Sequence, residues 1–183
     1  MNLEEKRKIE KEKYIKLYRK KPSYGDSDHS KPMRDYIISN LKPKSLLDVG
    51  CGGGQFVDFC KSQNVDARGV DIASPYDIVA PAHDIPLEDK SVEYLTAFDM
   101  LEHLVEEEVD EVLQEFVRLT TKGFIFTIAY KQSVGKGVDG ELLHPTIKPE
   151  SWWVDKIIQH SGMKVEIIKQ GVKDWDNCLI FRK

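Results

Sequence analysis

Short apolar runs alternate along this chain with longer amphipathic stretches, which is the pattern of strands exchanged with helices. The runs at 45–49, 66–71, 77–80, 92–98, 123–129, 163–169 and 177–181 read as strands. Residues 2–20, 32–40, 55–62, 106–120 and 149–160 read as helices. Val109, Val112, Leu113, Phe116 and Val117 form one buried stripe at helical spacing, and Met33, Tyr36 and Ile37 form a shorter one. Gly123–Ala129 is apolar almost throughout, as in a strand covered on both faces. Pro149 opens the last helix and Gly162 stops it. Only a few residues separate Ile72 from the run at 77–80, whereas a parallel crossover normally needs about a dozen. The helix expected between the second and third strands is therefore missing, and the third strand is short and lies at a sheet edge. This alternation predicts an α/β chain.

Composition narrows the picture without naming a chemistry. At 183 residues the chain holds one domain with a sizeable core. No apolar stretch approaches a membrane span, and the charged N-terminus lacks the apolar segment of a signal peptide. Cys51, Cys60 and Cys178 are scattered and odd in number, as expected of free thiols in a cytoplasmic protein. Net charge is −4, but residues 1–22 carry about +5, leaving about −9 on the remainder. Such an arm either meets a phosphate-bearing partner or is a solvated helix. Tyr14, Leu17 and Tyr18 share one helical face, so its second half is expected to dock on the domain.

The most informative segment is Leu47-Asp48-Val49-Gly50-Cys51-Gly52-Gly53-Gly54. It follows a strand and precedes a helix, and its alternating glycines permit a tight turn with close ligand approach. Such turns bind nucleotides at the tips of parallel strands. Gln55 stands where the dinucleotide fingerprint would place its third glycine, and an acid precedes the first glycine by two positions. Asp66-Ala67-Arg68-Gly69-Val70-Asp71 is a second strand ending in an acid. Ala82-His83-Asp84-Ile85-Pro86-Leu87 is an acidic loop. Ser91 to His103 is a strand followed by Asp99-Met100-Leu101-Glu102-His103.

In that order and spacing, these four segments resemble the motifs of the class I S-adenosylmethionine (SAM) dependent methyltransferases, the small type 11/23-like group. The resemblance covers residues 45–104. It implies a Rossmann-like, doubly wound, mostly parallel sheet of about seven strands, shortened around strand three, with one antiparallel C-terminal strand. Residues 1–30 would form a basic helix and lid loop, with Tyr24 and His29 over the cofactor, and 31–183 the methyltransferase domain. By resemblance, Gly50, Cys51, Gly52 and Gly54 pass backbone beneath the methionine end of SAM, and Asp48 orients its amino group. Asp71 grips the ribose hydroxyls, Ile72 packs on adenine, Asp84 and the Ile85 amide read the adenine edge, and Phe98 meets the sulfonium region.

The acceptor site is expected at Asp99–His103, roofed by the glycine-rich segment 131–148. The Asp/Asn-Pro-Pro-aromatic run of DNA amino-methyltransferases and the Lys-Asp-Lys-Glu set of many RNA ribose methyltransferases are both absent. Asp99-x-x-Glu102-His103 is similar to the Glu-x-x-Glu-His run of metal-dependent O-methyltransferases, and His144 stands where the small-RNA enzymes place a further ligand. The resemblance thus offers Asp99, Glu102, His103 and His144 as a Mg²⁺ or Mn²⁺ site. Without a metal, His103 or His144 becomes the general base, with Asp99 beside it. Trp152 and Trp153 pack in the core, or one of them walls the acceptor pocket. The reading is O-methylation of a small metabolite or glycan precursor. RNA ribose methylation, disfavoured by charge, and a catalytically silent partner subunit remain as alternatives. Neither the acceptor nor the oligomeric state is legible.

Overall fold

The computed structural model describes residues 1–24, 30–133, 135–168 and 178–183. His29, and the ends of the last two expected strands at Lys169 and Asn177, lie outside them. Seven strands form one sheet in the order β3-β2-β1-β4-β5-β7-β6. They are β1 (Ser45–Val49), β2 (Asp66–Asp71), β3 (Ile78–Val79), β4 (Val92–Phe98), β5 (Thr120–Thr127), β6 (Lys164–Ile168) and β7 (Cys178–Arg182). All pairings from β3 through β5 are parallel, and β7 alone runs against its neighbours. Between β1 and β4 the strand order reverses, and that switch point is where sheets of this kind open a crevice for ligands.

Helices α2 (Arg34–Tyr36) and α3 (Gln55–Ser62) cover one face and α4 (Val109–Leu119) and α5 (Glu150–Ser161) the other, while α1 (Leu3–Lys20) packs apart from both. Because successive strand side chains point to opposite faces, neighbours such as Leu46 and Leu47 enter different cores. Leu47, Leu95, Phe124 and Phe126 pack with Val112, Phe116, Trp153 and Ile157 of α4 and α5. Leu46, Ala67 and Ile125 pack with Phe56, Val57 and Cys60 of α3, and with Met33 and Ile37. Among the described residues no helix is long and apolar enough to cross a membrane.

Three sequence expectations are adjusted. The helix over 32–40 is a chain of short turns, 3-10 over Lys31–Met33, then α2, then π over Ile37–Leu41. Strand five begins at Thr120 rather than 123, since Thr120 pairs with Val92 across a bulge. The third strand has only two residues instead of the four over 77–80, and no helix lies between it and β2, as the short gap predicts. In place of the lost helix, the Tyr76 ring lies over the glycine turn, and Asp77 accepts the Gly69 N–H at 3.0 Å.

The basic arm docks along its whole length. Asn2 and Glu5 form a reciprocal capping box at 2.9 Å each. Tyr14 and Leu17 are buried. Arg7 bonds Glu108 at 3.0 Å and Glu111 at 2.5 Å, and Lys6 pairs with Glu107. Helix α1 thereby lies over the C-terminal ends of the strands.

Candidate active site

Beneath α1 the ends of β1, β2 and β4 enclose a cleft of about 1180 Å³. The glycine turn forms its floor. Gly50 takes φ +77°, and a Cβ there would come within 2.5 Å of Met100. At Gly54, φ is +81° and a Cβ would strike the Tyr76 ring at 2.2 Å. That glycine caps α3 under Tyr76 and does not line the cleft, so its conformation serves the turn rather than ligand contact.

Asp48, Gly50, Cys51, Gly52, Asp71, Ile72 and Phe98 all line the cleft, as do Asp99, Glu102, His103 and His144. Asp48 is 4% exposed and accepts a bond from the Thr96 hydroxyl at 2.7 Å. Burial pushes its carboxyl up to about 7 against the pull of that bond. The Asp71 carboxylate is held by backbone: Oδ1 accepts the Ala73 and Ser74 N–H groups at 2.8 Å each, and Oδ2 accepts Gly52 N–H at 3.2 Å. Tyr18 Oη donates to the same Oδ2 at 3.3 Å. Buried and beside Asp48 and Asp71, the Cys51 thiol is pushed far up and is an inert filler of the turn.

The acid loop departs from expectation. Asp84 is exposed and outside the cleft, and the buried Ile85 N–H donates to Glu115 at 2.8 Å. Arg118 bonds both oxygens of Glu115 at 2.7 Å and so fixes this use of the amide. The cleft wall here is instead Ala80, Pro81, Ala82 and His83.

At the acceptor end, Glu102, His103 and His144 each offer one ligand atom within 4.8 Å of the others. Glu102 is fully buried, and among the described residues no hydrogen bond of good geometry reaches either carboxyl oxygen, although the Glu102 and Ala129 backbone amides lie close enough to oppose the effect of burial. Burial, reinforced by the Asp99 charge, pushes it up to about 8. His103 Nδ1 lies 2.7 Å from the Leu143 carbonyl oxygen. A carbonyl only accepts, so Nδ1 carries the proton and Nε2 is bare. Burial, with His144 nearby, lowers this imidazole to about 4 and keeps it neutral. His144 Nδ1 likewise donates to the Lys131 carbonyl at 3.0 Å, and the two rings meet edge to face at 4.7 Å. Asp99 is not part of the three-residue cluster. Its left-handed backbone, φ 48°, turns Oδ1 onto the Thr127 hydroxyl at 2.8 Å.

Two tryptophans stay clear of the site. Trp153 is fully buried in the core, and Trp152 packs between Lys148 and Lys156. Conversely, sequence reasoning missed Tyr14 as a site residue. Its hydroxyl lies 2.5 Å from His103 Nδ1 and 3.3 Å from the Leu143 oxygen. The helical spacing of Tyr14, Leu17 and Tyr18 signalled docking but not where the face would land.

Residues 47–128, from β1 through β5, match the family model of the methyltransferase domain. That span is a match to a methyltransferase domain, and the fold around it is the one SAM-dependent methyltransferases share. Solved methyltransferases share the fold at low identity. A 1,6-didemethyltoxoflavin-N1-methyltransferase from Burkholderia thailandensis, solved with bound 1,6-didemethyltoxoflavin and S-adenosylhomocysteine, is 16% identical. It aligns over 100% of this chain and 91% of its own with a TM-score of 0.69. A sugar N-methyltransferase from Streptoalloteichus is 12% identical, over 86% of this chain and 89% of its own, with a TM-score of 0.66. The cyclase SpnF, 17% identical over 73% of this chain and 57% of its own, has a TM-score of 0.53. No curated protein sequence matches the chain. A methyltransferase fold that also hosts a cyclase leaves the acceptor to be argued from the site.

Proposed function

We propose that this methyltransferase transfers the SAM methyl group to a hydroxyl of a small metabolite or glycan precursor. The observation that carries the reading is the cluster of His103, His144 and the buried Glu102 carboxyl in the lining of the cleft, with Nδ1 of each imidazole already taken by a backbone carbonyl. SAM, when bound, supplies a methyl on a positively charged sulfur with a neutral leaving group. Asp71 would accept both ribose hydroxyls on a carboxylate already oriented by three backbone amides. Asp48 would receive the amino group, and backbone at Gly50–Gly52 would pass beneath the methionine end. Ile72 and Phe98 supply apolar walls. With Asp84 and the Ile85 amide directed elsewhere, Ala80–His83 would border the adenine.

An acceptor hydroxyl must be aligned with the methyl and lose its proton as the new bond forms. His103 is neutral and presents an acceptor nitrogen, so the base form is present throughout the neutral range. Glu102 would take a hydrogen bond from the acceptor, which relieves a buried carboxyl of its isolation.

The same cluster fits a divalent cation. Both imidazoles donate Nδ1–H to backbone carbonyls, the arrangement that fixes a ligating Nε2, and Glu102 adds an unpartnered carboxylate. Glu102, His103 and His144 would hold the ion, without Asp99, and it would acidify a bound hydroxyl. Two imidazoles favour Mn²⁺ over Mg²⁺.

Screening metabolites with methyl-labelled SAM, with and without EDTA, tests the reading. Labelled hydroxyl products that disappear in His103→Asn support it, and EDTA sensitivity selects the metal form. Full activity of His103→Asn, or methylation confined to amines, overturns it.

A further inference from the structure

Helix α1 lies outside the matched span 47–128, yet its side chains reach the reacting end of the cleft. Two consecutive residues clip the loop that roofs the site. Lys13 is 3% exposed, and its ammonium donates to the Leu142 carbonyl at 2.9 Å. Tyr14, 8% exposed, donates to the Leu143 carbonyl at 3.3 Å. One turn later Lys16 bonds Asp139 at 2.7 Å. His144 follows Leu143 directly, so the clip also places the second imidazole.

Tyr14 does more than hold the loop. Nδ1–H of His103 points between two oxygens, the Leu143 carbonyl at 2.7 Å and the Tyr14 hydroxyl at 2.5 Å. Since Nδ1 carries the proton, Tyr14 Oη accepts from it and passes its own hydrogen to the Leu143 carbonyl. The three groups close a small cycle in which every donor has an acceptor. The Tyr14 and His103 rings meet edge to face at 5.6 Å, which restrains the imidazole plane. An imidazole without such partners exchanges tautomers and rotates. Held as here, it keeps one tautomer and one ring plane at the cleft lining.

We propose that Tyr14 is the positioning residue of the acceptor site, fixing the tautomer and orientation of His103 from a helix outside the family core. The proposal rests on His103 acting through Nε2, as base or as ligand, and it holds for either.

The test uses the full chain as wild type, Tyr14→Phe and His103→Asn, with S-adenosylhomocysteine as the binding probe. In the wild type, nitrogen-15 NMR should find His103 as a single Nδ1–H tautomer with a downfield, slowly exchanging ring proton. In Tyr14→Phe that proton should move upfield and exchange faster, while affinity for S-adenosylhomocysteine stays at the wild-type value. With an acceptor found by the screen above, kcat should fall about threefold to tenfold, the worth of one neutral hydrogen bond, and KM for SAM should hold. A wild-type ring proton and wild-type kcat in Tyr14→Phe overturn the inference. Failure of the underlying reading is seen separately, as full turnover by His103→Asn.

Discussion

Tyr18 Oη donates to Asp71 Oδ2 at 3.3 Å, so a side chain of the roof helix sits on the carboxylate that would grip the ribose. Among the described residues the other donors to Asp71 are backbone amides, which cannot leave. Removing the hydroxyl with Tyr18→Phe should free a lone pair and tighten S-adenosylhomocysteine binding about tenfold, the low end for a long hydrogen bond to a charged acceptor. Asp71→Ala should weaken it on the order of a hundredfold, since two bonds to a charged acceptor are lost. Calorimetry on both variants checks the pair. Unchanged affinity in Asp71→Ala would place the ribose elsewhere.

The buried carboxyl of Glu102 ties stability to pH. Its value in the folded chain, about 8, lies above the ordinary 4.5 because of burial and then the Asp99 charge. A raised acid contributes stability that is fully present below pH 4.5 and is lost as pH rises through about 8. Asp48, raised from 3.8 to about 7 by burial, acts with the same sign. The melting temperature should therefore fall as pH rises from about 4.5 to about 8 and level off above that. Glu102→Gln should flatten that fall while abolishing turnover. An identical pH slope in the variant would show that the carboxyl is not isolated.

Gly54→Ala should destabilise the fold by about 1–3 kcal/mol through its positive φ alone, and by more through the collision with Tyr76. Since Gly54 stands outside the cleft, the surviving folded protein should still bind S-adenosylhomocysteine. Denaturant unfolding and calorimetry separate the two effects. A stable variant that no longer binds would return Gly54 to the cofactor floor.

Cys51, Cys60 and Cys178 are all buried, with burial pushing each thiol upward. Iodoacetamide at pH 8 should leave the native protein unmodified by mass spectrometry, and Cys51→Ala should retain S-adenosylhomocysteine binding. Rapid alkylation of Cys51 would mean that the turn opens.

Much of the cofactor half was legible because it depends on neighbours in sequence. The run from Ser45 to Gly54 determines strand, turn and helix locally, and the short gap after Ile72 announced a short edge strand without a helix before it, though not that it would have only two residues. Contacts between distant segments were not legible. Whether the Ile85 amide serves a ligand depends on Glu115, thirty positions away and itself held by Arg118. Asp99 leaves the cluster because its backbone turns toward Thr127, which no spacing reveals. Tyr14 and His103 are joined only because α1 crosses the strand ends.

That crossing also settles where the charge of the arm goes. Lys6, Arg7 and Lys16 face Glu107, Glu108, Glu111 and Asp139 of their own chain. What looks like an asymmetry along the polymer is largely neutralised within one molecule, and a polyanion binding those cations would first have to displace carboxylates already in place. Rising salt should accordingly loosen the roof over the reacting groups before it disturbs the glycine turn beneath.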